Sequence, residues 1–360
     1  MTRVMSSPYM EWAKLHSGSR YNLASSGLVN YPLAELQVTL ADLELSGPAG
    51  YGYAPLQQAI ARHCGVDPAC VVAANGTSMA NHLAMAAVFA PGDEVLIEHP
   101  TYELLTATAQ FLGARVRHFN RKWADGFRID PAEIERVLTP RTRLIVISNL
   151  HNPSGVFTDN DTLRQIGGLA RRVGSRVLVD EVYREALFEA RPPSAIQLGE
   201  EFIVTGSLTK AYGLSGLRCG WILAEPELAK RIWRLNDLFG VNAPHVAERL
   251  SVLALAQIER LARRAREILQ ANRHAWHTFL DSRPDLQAVR TEFGMISFPR
   301  LLHGSVEDLC TRLREQHDTT VVPGHFFGMS PHFRVALGGP VDMVAAGLQR
   351  LARALDDLHA

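Results

Sequence analysis

Ser207-Leu-Thr-Lys210-Ala-Tyr-Gly-Leu-Ser-Gly-Leu-Arg218 lies between two short apolar runs, Phe202-Ile-Val and Trp221-Ile-Leu. Continuous apolar runs, rather than alternating ones, suit strands that are covered on both faces. The pattern recurs upstream in Cys70-Val-Val-Ala-Ala, Glu94-Val-Leu-Ile-Glu, Leu144-Ile-Val-Ile and Val177-Leu-Val, with helix-like segments between them. This alternation predicts an α/β fold whose mostly parallel sheet, flanked by helices, fills roughly residues 45–235. Within the quoted loop Lys210 stands out, because only four of the 37 basic residues are lysines. A lysine amine condenses with aldehydes, and hydroxyl and guanidinium neighbours suit a phosphate. The other three are simpler surface residues: Lys14 near the terminus, Lys122 in a polar turn with Arg121, and Lys230 on an amphipathic helix.

Beyond Pro226 the pattern becomes helical. Apolar positions recur at helical spacing from about Ala243 to Leu280, with arginine-rich faces that read as solvated surface. Possible strands (Gly294-Met-Ile-Ser-Phe and Phe333-Arg-Val-Ala-Leu) and a last amphipathic helix from about Val341 follow. A chain of 360 residues, 47% hydrophobic, is at the length where one core divides into two. The expected division is a large α/β domain over 45–235 and a smaller α+β domain built from 1–44 and 236–360. Formal net charge is zero, with 37 acidic and 37 basic residues, so nothing calls for nucleic acid or an anionic membrane. A small-molecule partner is the expectation. Cys64, Cys70, Cys219 and Cys310 form no C-x-x-C pair and read as thiols of a reducing compartment; no metal site is expected. The N-terminus lacks a signal-peptide apolar region, and no apolar stretch reaches the roughly 18 residues of a membrane helix. A soluble, cytoplasmic protein is expected.

Out-of-place polar residues fall where these strands end, which is where open α/β sheets build their sites. Asn75-Gly76-Thr77-Ser78 follows the first run and precedes a helix-like segment from Met79; such a turn presents N–H groups and hydroxyls to an anion, though it would also cap any helix. His151-Asn152-Pro153-Ser154-Gly155 offers an amide that can donate to a phenolate oxygen, or is simply a Pro-Gly turn. Asp180 in Asp180-Glu-Val-Tyr183 is a carboxylate at the tip of a buried strand, costly unless it pairs with a cation such as a pyridinium, or a helix cap.

These motifs, in this order and over about Gly47 to Leu337, resemble the class I and II aminotransferases, the fold type I pyridoxal-phosphate enzymes. The resemblance implies that fold, pyridoxal 5'-phosphate as cofactor and an amino acid as substrate. It implies that Lys210 forms the Schiff base to the cofactor and that Asp180 pairs with its pyridine nitrogen. Asn152 and Tyr183 would bind its phenolic oxygen, and Gly76, Thr77, Ser78, Ser207 and Arg218 its phosphate. Tyr102, in His99-Pro-Thr-Tyr, matches the aromatic residue that stacks on the pyridine ring. Arg334, in Pro331-His-Phe-Arg-Val-Ala-Leu, matches the arginine that binds the substrate α-carboxylate, with Asn152 and Gly27 also on the substrate side. A homodimer is implied as well.

Two departures bear on the reaction. Gly47 stands near the place of the tyrosine that the family lends to the partner's phosphate, with Tyr51 and Tyr53 close by. The segment Tyr21-Asn-Leu-Ala-Ser-Ser-Gly27-Leu-Val-Asn-Tyr31 lacks the usual Gly-x-Pro and is similar to the start of capreomycidine synthase-like pyridoxal enzymes of natural-product pathways. Transamination through a Cα carbanion is the first expectation. β-Elimination, including C–S lysis, replacement, cyclisation or reaction with oxygen is the alternative. A pyridoxal-fold protein that binds without catalysis is disfavoured, because Lys210, Asp180 and Arg334 are all present. His151, Tyr31, Tyr53, Phe239 and Asn242 are further candidates for the pocket wall, with packing or capping as their other reading.

Overall fold

In the computed structural model, which describes residues 4–48 and 50–359, the β-branched runs become one seven-stranded sheet. Helix α1 (Pro8–Leu15), a two-residue strand β1 (Tyr21–Asn22) and α2 (Ala54–Cys64) precede it. Its strands are β2 (Val71–Asn75), β3 (Glu94–His99), β4 (Arg115–Asn120), β5 (Thr142–Ser148), β6 (Arg176–Asp180), β7 (Phe202–Ser207) and β8 (Cys219–Leu223). Helices α3 (Gly76–Val88), α4 (Glu103–Phe111), α5 (Pro131–Val137), α6 (Asn160–Arg172) and α7 (Pro226–Asn236) connect or follow them. The spatial order is β2-β8-β7-β6-β5-β3-β4, and β8 runs antiparallel to both neighbours while the other pairings are parallel.

That topology decides where the site can be. The C-terminal ends of β2, β3, β5, β6 and β7 lie on one sheet edge, and β8, being reversed, starts there. Asn75, His99, Ser148, Asp180, Ser207 and Arg218 are therefore brought together from across the sequence. Strand β4 was not predicted from apolar runs. It is the edge strand, pairs only with β3, and its sequence Arg115-Val-Arg-His-Phe-Asn carries the charge that exposed edges tolerate.

Downstream, the helical stretch expected as far as Leu280 is two helices, α8 (His245–Ala256) and α9 (Ile258–Asp281). Gln257 breaks it, its side-chain amide donating to the Leu36 carbonyl at 2.9 Å. Short strands β9 (Leu286–Gln287), β10 (Ile296–Ser297) and β11 (Arg300–Leu301) follow, then α10 (Val306–His317), β12 (Thr319–Thr320), β13 (Val322–Pro323), β14 (Phe333–Ala336) and α11 (Val341–His359). β10, β14 and β13 form a small antiparallel sheet, and β1 pairs with β12.

The largest apolar cluster surrounds the seven-stranded sheet, and a second joins Leu23, Trp276, Leu309, Phe333 and Leu351. We keep 45–235 as the proposed extent of the larger unit, with 1–44 and 236–360 as the smaller one. Tyr31 and Leu36, and Ala254, Leu255 and Leu261, nevertheless pack into the large cluster from outside those bounds. The outermost residues 1–3 and 360 lie outside the described ones. Arg121 is not a surface neighbour of the exposed Lys122: its guanidinium is buried, with Nη1 donating to Glu98 Oε2 at 2.8 Å and Nε to the Phe127 carbonyl at 2.6 Å. Breaking so enclosed a pair would leave an uncompensated charge, and Glu98 also accepts from Ser148 N and Oγ, at 2.7 and 2.6 Å. Among the described residues no helix is long and apolar enough to cross a membrane.

Candidate active site

A cavity of about 190 Å³ opens at this sheet edge, lined among others by Thr77, Ser78, Tyr102, Asn152, Asp180, Tyr183, Ser207, Lys210 and Arg218. At one end α3 begins directly at Gly76, without the intervening turn expected before Met79, so Gly76, Thr77 and Ser78 form its first turn. First-turn N–H groups have no intrahelical acceptor and face an anion favourably. Gly76 has φ +75°, and a Cβ there would collide with the Arg218 guanidinium. Arg218 is itself left-handed (φ +50°), its carbonyl accepting from Gly76 N at 2.7 Å, which turns the guanidinium over the helix start. The Thr77 and Thr209 hydroxyls are buried without a hydrogen-bond partner. A cluster of unpaired donors beside an arginine is a site built for an anion.

Across the cavity Asp180 closes β6. Its Oδ1 accepts from Val182 N at 3.1 Å and its Oδ2 from Asn81 Nδ2 at 2.9 Å. Burial raises its carboxyl to about 6, against the pull of those hydrogen bonds and of Lys210. Lys210 faces the cavity, with Nζ 3.1 Å from Ser26 Oγ. Burial, with Arg334 and Arg218 nearby, lowers its amine to about 8. Tyr183 is buried and its hydroxyl pushed up to about 12, chiefly by burial, so it stays a donor at neutral pH. Burial also raises the Tyr102 phenol, at the start of α4.

Arg334, on β14 in the second core, meets the wall of this cavity at Asn152. Its Nη1 donates to Asn152 Oδ1 at 2.9 Å, and its Nη2 to the Tyr9 hydroxyl at 2.8 Å and the Ala24 carbonyl at 3.1 Å. Its Nε is buried without a hydrogen-bond partner. The contact with Asn152 Oδ1 also fixes the amide, leaving Nδ2 as a donor. Gly27 lies against the Lys210 side chain, where an added Cβ would stand 3.7 Å from Cδ. Thr77, Ser78, Tyr102, Asn152, Asp180, Tyr183, Ser207, Lys210 and Arg218 thus line one cavity, with Gly76, Gly27 and Arg334 in contact with its wall.

Residues not singled out there complete it. Tyr9 and Met10 on α1 cover it, the Tyr102 hydroxyl lying 3.6 Å from Met10 Sδ, and Ser7 and Tyr9 N are tied to the Glu103 carboxylate. Nothing local in the sequence of α1 signals this, because the contact is over 90 residues away. Asn81 had a signal: it follows Thr77 by four residues, so both lie on one face of a helix that is apolar from Leu83 onward. Of the remaining wall candidates, His151 is a buried structural residue whose Nε2 meets the Pro100 carbonyl at 2.8 Å and Nδ1 the Ser154 hydroxyl at 2.6 Å. Tyr31 packs in the core, Tyr53 stands edge-on to His245, Phe239 meets His82, and Asn242 Oδ1 accepts from Gly52 N. At Gly47 any Cβ would strike the His245 ring.

Comparison with known proteins agrees with this geometry. The family model "Aminotransferase class I and II" matches residues 35–351. Capreomycidine synthase of Streptomyces vinaceus is 30% identical, covering 97% of this chain and 93% of that protein. Arginine–pyruvate transaminase of Pseudomonas aeruginosa is 27% identical over 92% of this chain and 88% of its own. A crystal structure of a PLP-dependent aminotransferase from Streptococcus suis superposes with a TM-score of 0.93 at 26% identity, covering 99% of both chains. The unpaired donors of Thr77 and Thr209, the buried carboxylate of Asp180 and the amine between them fit a phosphate, a ring nitrogen and an aldehyde. The chain belongs to the class I and II aminotransferases, is an enzyme of fold type I, and has pyridoxal 5'-phosphate as its cofactor.

Proposed function

We propose that the protein acts on an L-amino acid at Cα and that its reaction is amino-group transfer to a 2-oxo acid. The observation that carries this reading is the placement of the Lys210 amine in one cavity with the buried Asp180 carboxylate and with Asn152, which Arg334 holds from behind. When bound, pyridoxal phosphate supplies an aldehyde that condenses with amines and a ring that accepts the electron pair left at the substrate Cα. Gly76, Thr77, Ser78, Ser207 and Arg218 hold its phosphate, and Thr209 adds an unpaired hydroxyl. Asp180 holds the proton on the ring nitrogen. Asn152 Nδ2 and the Tyr183 hydroxyl donate to the phenolic oxygen, and Tyr102 covers the ring face. Arg334 grips the α-carboxylate, with Asn152 and Gly27 beside it, and so turns the Cα–H bond toward Lys210. Lys210 Nζ then takes the proton from Cα and returns it.

The arginine–pyruvate transaminase among the relatives supports transfer. Likeness to capreomycidine synthase, and the opening segment around Gly27, favour a second reading in which the same proton removal leads to cyclisation, elimination or oxidation in natural-product biosynthesis. The reactions separate in one measurement. An amino donor alone is expected to bleach the visible band of the holoenzyme, and a 2-oxo acid to restore it. An unchanged band with release of ammonia, pyruvate or hydrogen peroxide assigns the second reading.

The free thiols Cys64, Cys70, Cys219 and Cys310 fit a cytoplasmic location. Leu40, Leu45 and Tyr51 are exposed, as are Leu238 and Val241 in the loop that the Tyr51–Asp237 and Gly52–Asn242 hydrogen bonds tie to residues 51 and 52. Gly240 of that loop lies beside Asn75, at the phosphate end. A second copy covering this apolar face would complete the site, so light scattering is expected to give twice the 39.7 kDa chain mass. A monomer at micromolar concentration would remove the dimer from this reading.

A further inference from the structure

Asn81 has no place in the roles above, yet it touches the group on which they depend. It lies on α3 one helical turn beyond Thr77 and is 5% exposed. Its Nδ2 donates to Asp180 Oδ2 at 2.9 Å, and its Oδ1 accepts from Thr205 Oγ1 at 2.6 Å. Thr205 is fully buried on β7 and stands opposite Asp180 in the strand register. Three side chains from three elements thus form one closed line: hydroxyl, amide, carboxylate.

The direction of that line matters. A carboxylate accepts only, while a protonated carboxyl must donate through one oxygen. With the Thr205 hydroxyl donating to Oδ1 of Asn81, the amide presents N–H to Asp180, and the Val182 N–H occupies the other carboxylate oxygen. Both oxygens therefore meet donors, an arrangement that suits the anion and not the neutral acid. Reversing the amide would set its oxygen against the carboxylate. The other ionisable groups felt at Asp180 are Glu98 on β3, which disfavours the charge, Lys210, which favours it, and the tyrosines Tyr102 and Tyr183. Buried beside Glu98, Asp180 depends on donors in place of the water it has lost.

We propose that Asn81, oriented by Thr205, is a positioning residue that keeps the Asp180 carboxylate ionised and aimed into the cavity, and so keeps the cofactor ring nitrogen protonated. The inference rests on the cofactor placement proposed above. Asn81 also lines the cavity, whereas Thr205 does not, so a loss on Thr205→Val reports the contact through Asn81 to Asp180.

The test uses holoenzyme carrying Asn81→Leu, which is close in size and cannot donate, Thr205→Val, which keeps the shape and loses the hydroxyl, and Thr205→Ser, which restores it. Cofactor dissociation constants and the pH titration of the bound-cofactor absorbance are read, with circular dichroism confirming the fold. Removing a hydrogen bond to a buried charge predicts roughly 10- to 100-fold weaker cofactor retention in Asn81→Leu. A smaller loss is expected in Thr205→Val, a return toward wild type in Thr205→Ser, and a displaced absorbance titration in the first two. Wild-type retention and titration in both Asn81→Leu and Thr205→Val overturn the relay. Should Asn81→Leu fail to fold, Thr205→Val against Thr205→Ser decides the same question. A wild-type protein that takes up no cofactor overturns the functional reading itself, whereas a coloured wild type with indifferent variants overturns only the relay.

Discussion

Lys210→Ala is expected to lower kcat by on the order of 10⁴-fold while leaving the fold intact, because it removes both the amine that bonds to the cofactor and the base at Cα. The loss belongs to this lysine alone, since Lys14, Lys122 and Lys230 are all exposed, the last two paired with Glu133 and Glu227. Borohydride reduction followed by peptide mapping is expected to place a pyridoxyl label on residue 210 of the wild type and none on the variant. The pH dependence follows from the lowered amine. Only the neutral amine attacks an aldehyde, and the folded-state value is brought down to about 8, chiefly by burial and further by Arg334 and Arg218. Attachment of cofactor to the apo-protein is therefore expected to quicken as pH rises toward 8 and to level off above it, instead of climbing on toward the ordinary lysine range near 10.4. A label on another residue, or substantial turnover by the alanine variant, would remove Lys210 from the mechanism.

Arg334→Ala is the second large loss. The guanidinium is fully buried, holds Asn152 Oδ1 and the Tyr9 hydroxyl, and has an unpartnered Nε. Truncating a buried, hydrogen-bonded charge costs about 2–5 kcal/mol, or roughly 30- to several-thousand-fold in kcat/KM. Cofactor retention should change little, because Arg334 serves the substrate end. Arg334→Lys is expected to recover only a small part, since a compact ammonium cannot reach Asn152, Tyr9 and a carboxylate at once. Steady-state kinetics with an amino acid and with the matching amine that lacks the carboxylate check the assignment. Equal losses on both substrates would mean that Arg334 supports the pocket wall and does not bind a carboxylate.

How much of this could be read in advance depended on whether the physical signal was local. The sheet was legible because strands buried on both faces must be apolar throughout, as in β5, β6 and β7. β4 escaped because an edge strand is excused from that rule. The helical periodicity through 243–280 was real, but the break at Gln257 is set by a contact with Leu36, more than 200 residues away. Asp180, Asn152 and Lys210 were legible because a polar residue at the end of a buried strand, or a rare lysine in a Gly-Ser loop, is conspicuous against its neighbours.

Sequence by itself determined the α/β class and the strands whose ends carry polar residues, and it raised the expectation of aldehyde and phosphate chemistry in the Lys210 loop. Those follow from hydrophobic period and from functional groups, which a chain displays without folding. Tertiary structure alone decided that Tyr9 closes over Arg334, that Ser26 meets Lys210, and that Asn81 and Thr205 stand behind Asp180. Such contacts arise from the side-by-side pairing of β6 and β7 under α3, and from the second core delivering β14 to the N-terminal segment. Hydrogen bonds reach about 3 Å, and only the folded chain brings groups so distant in sequence within that range.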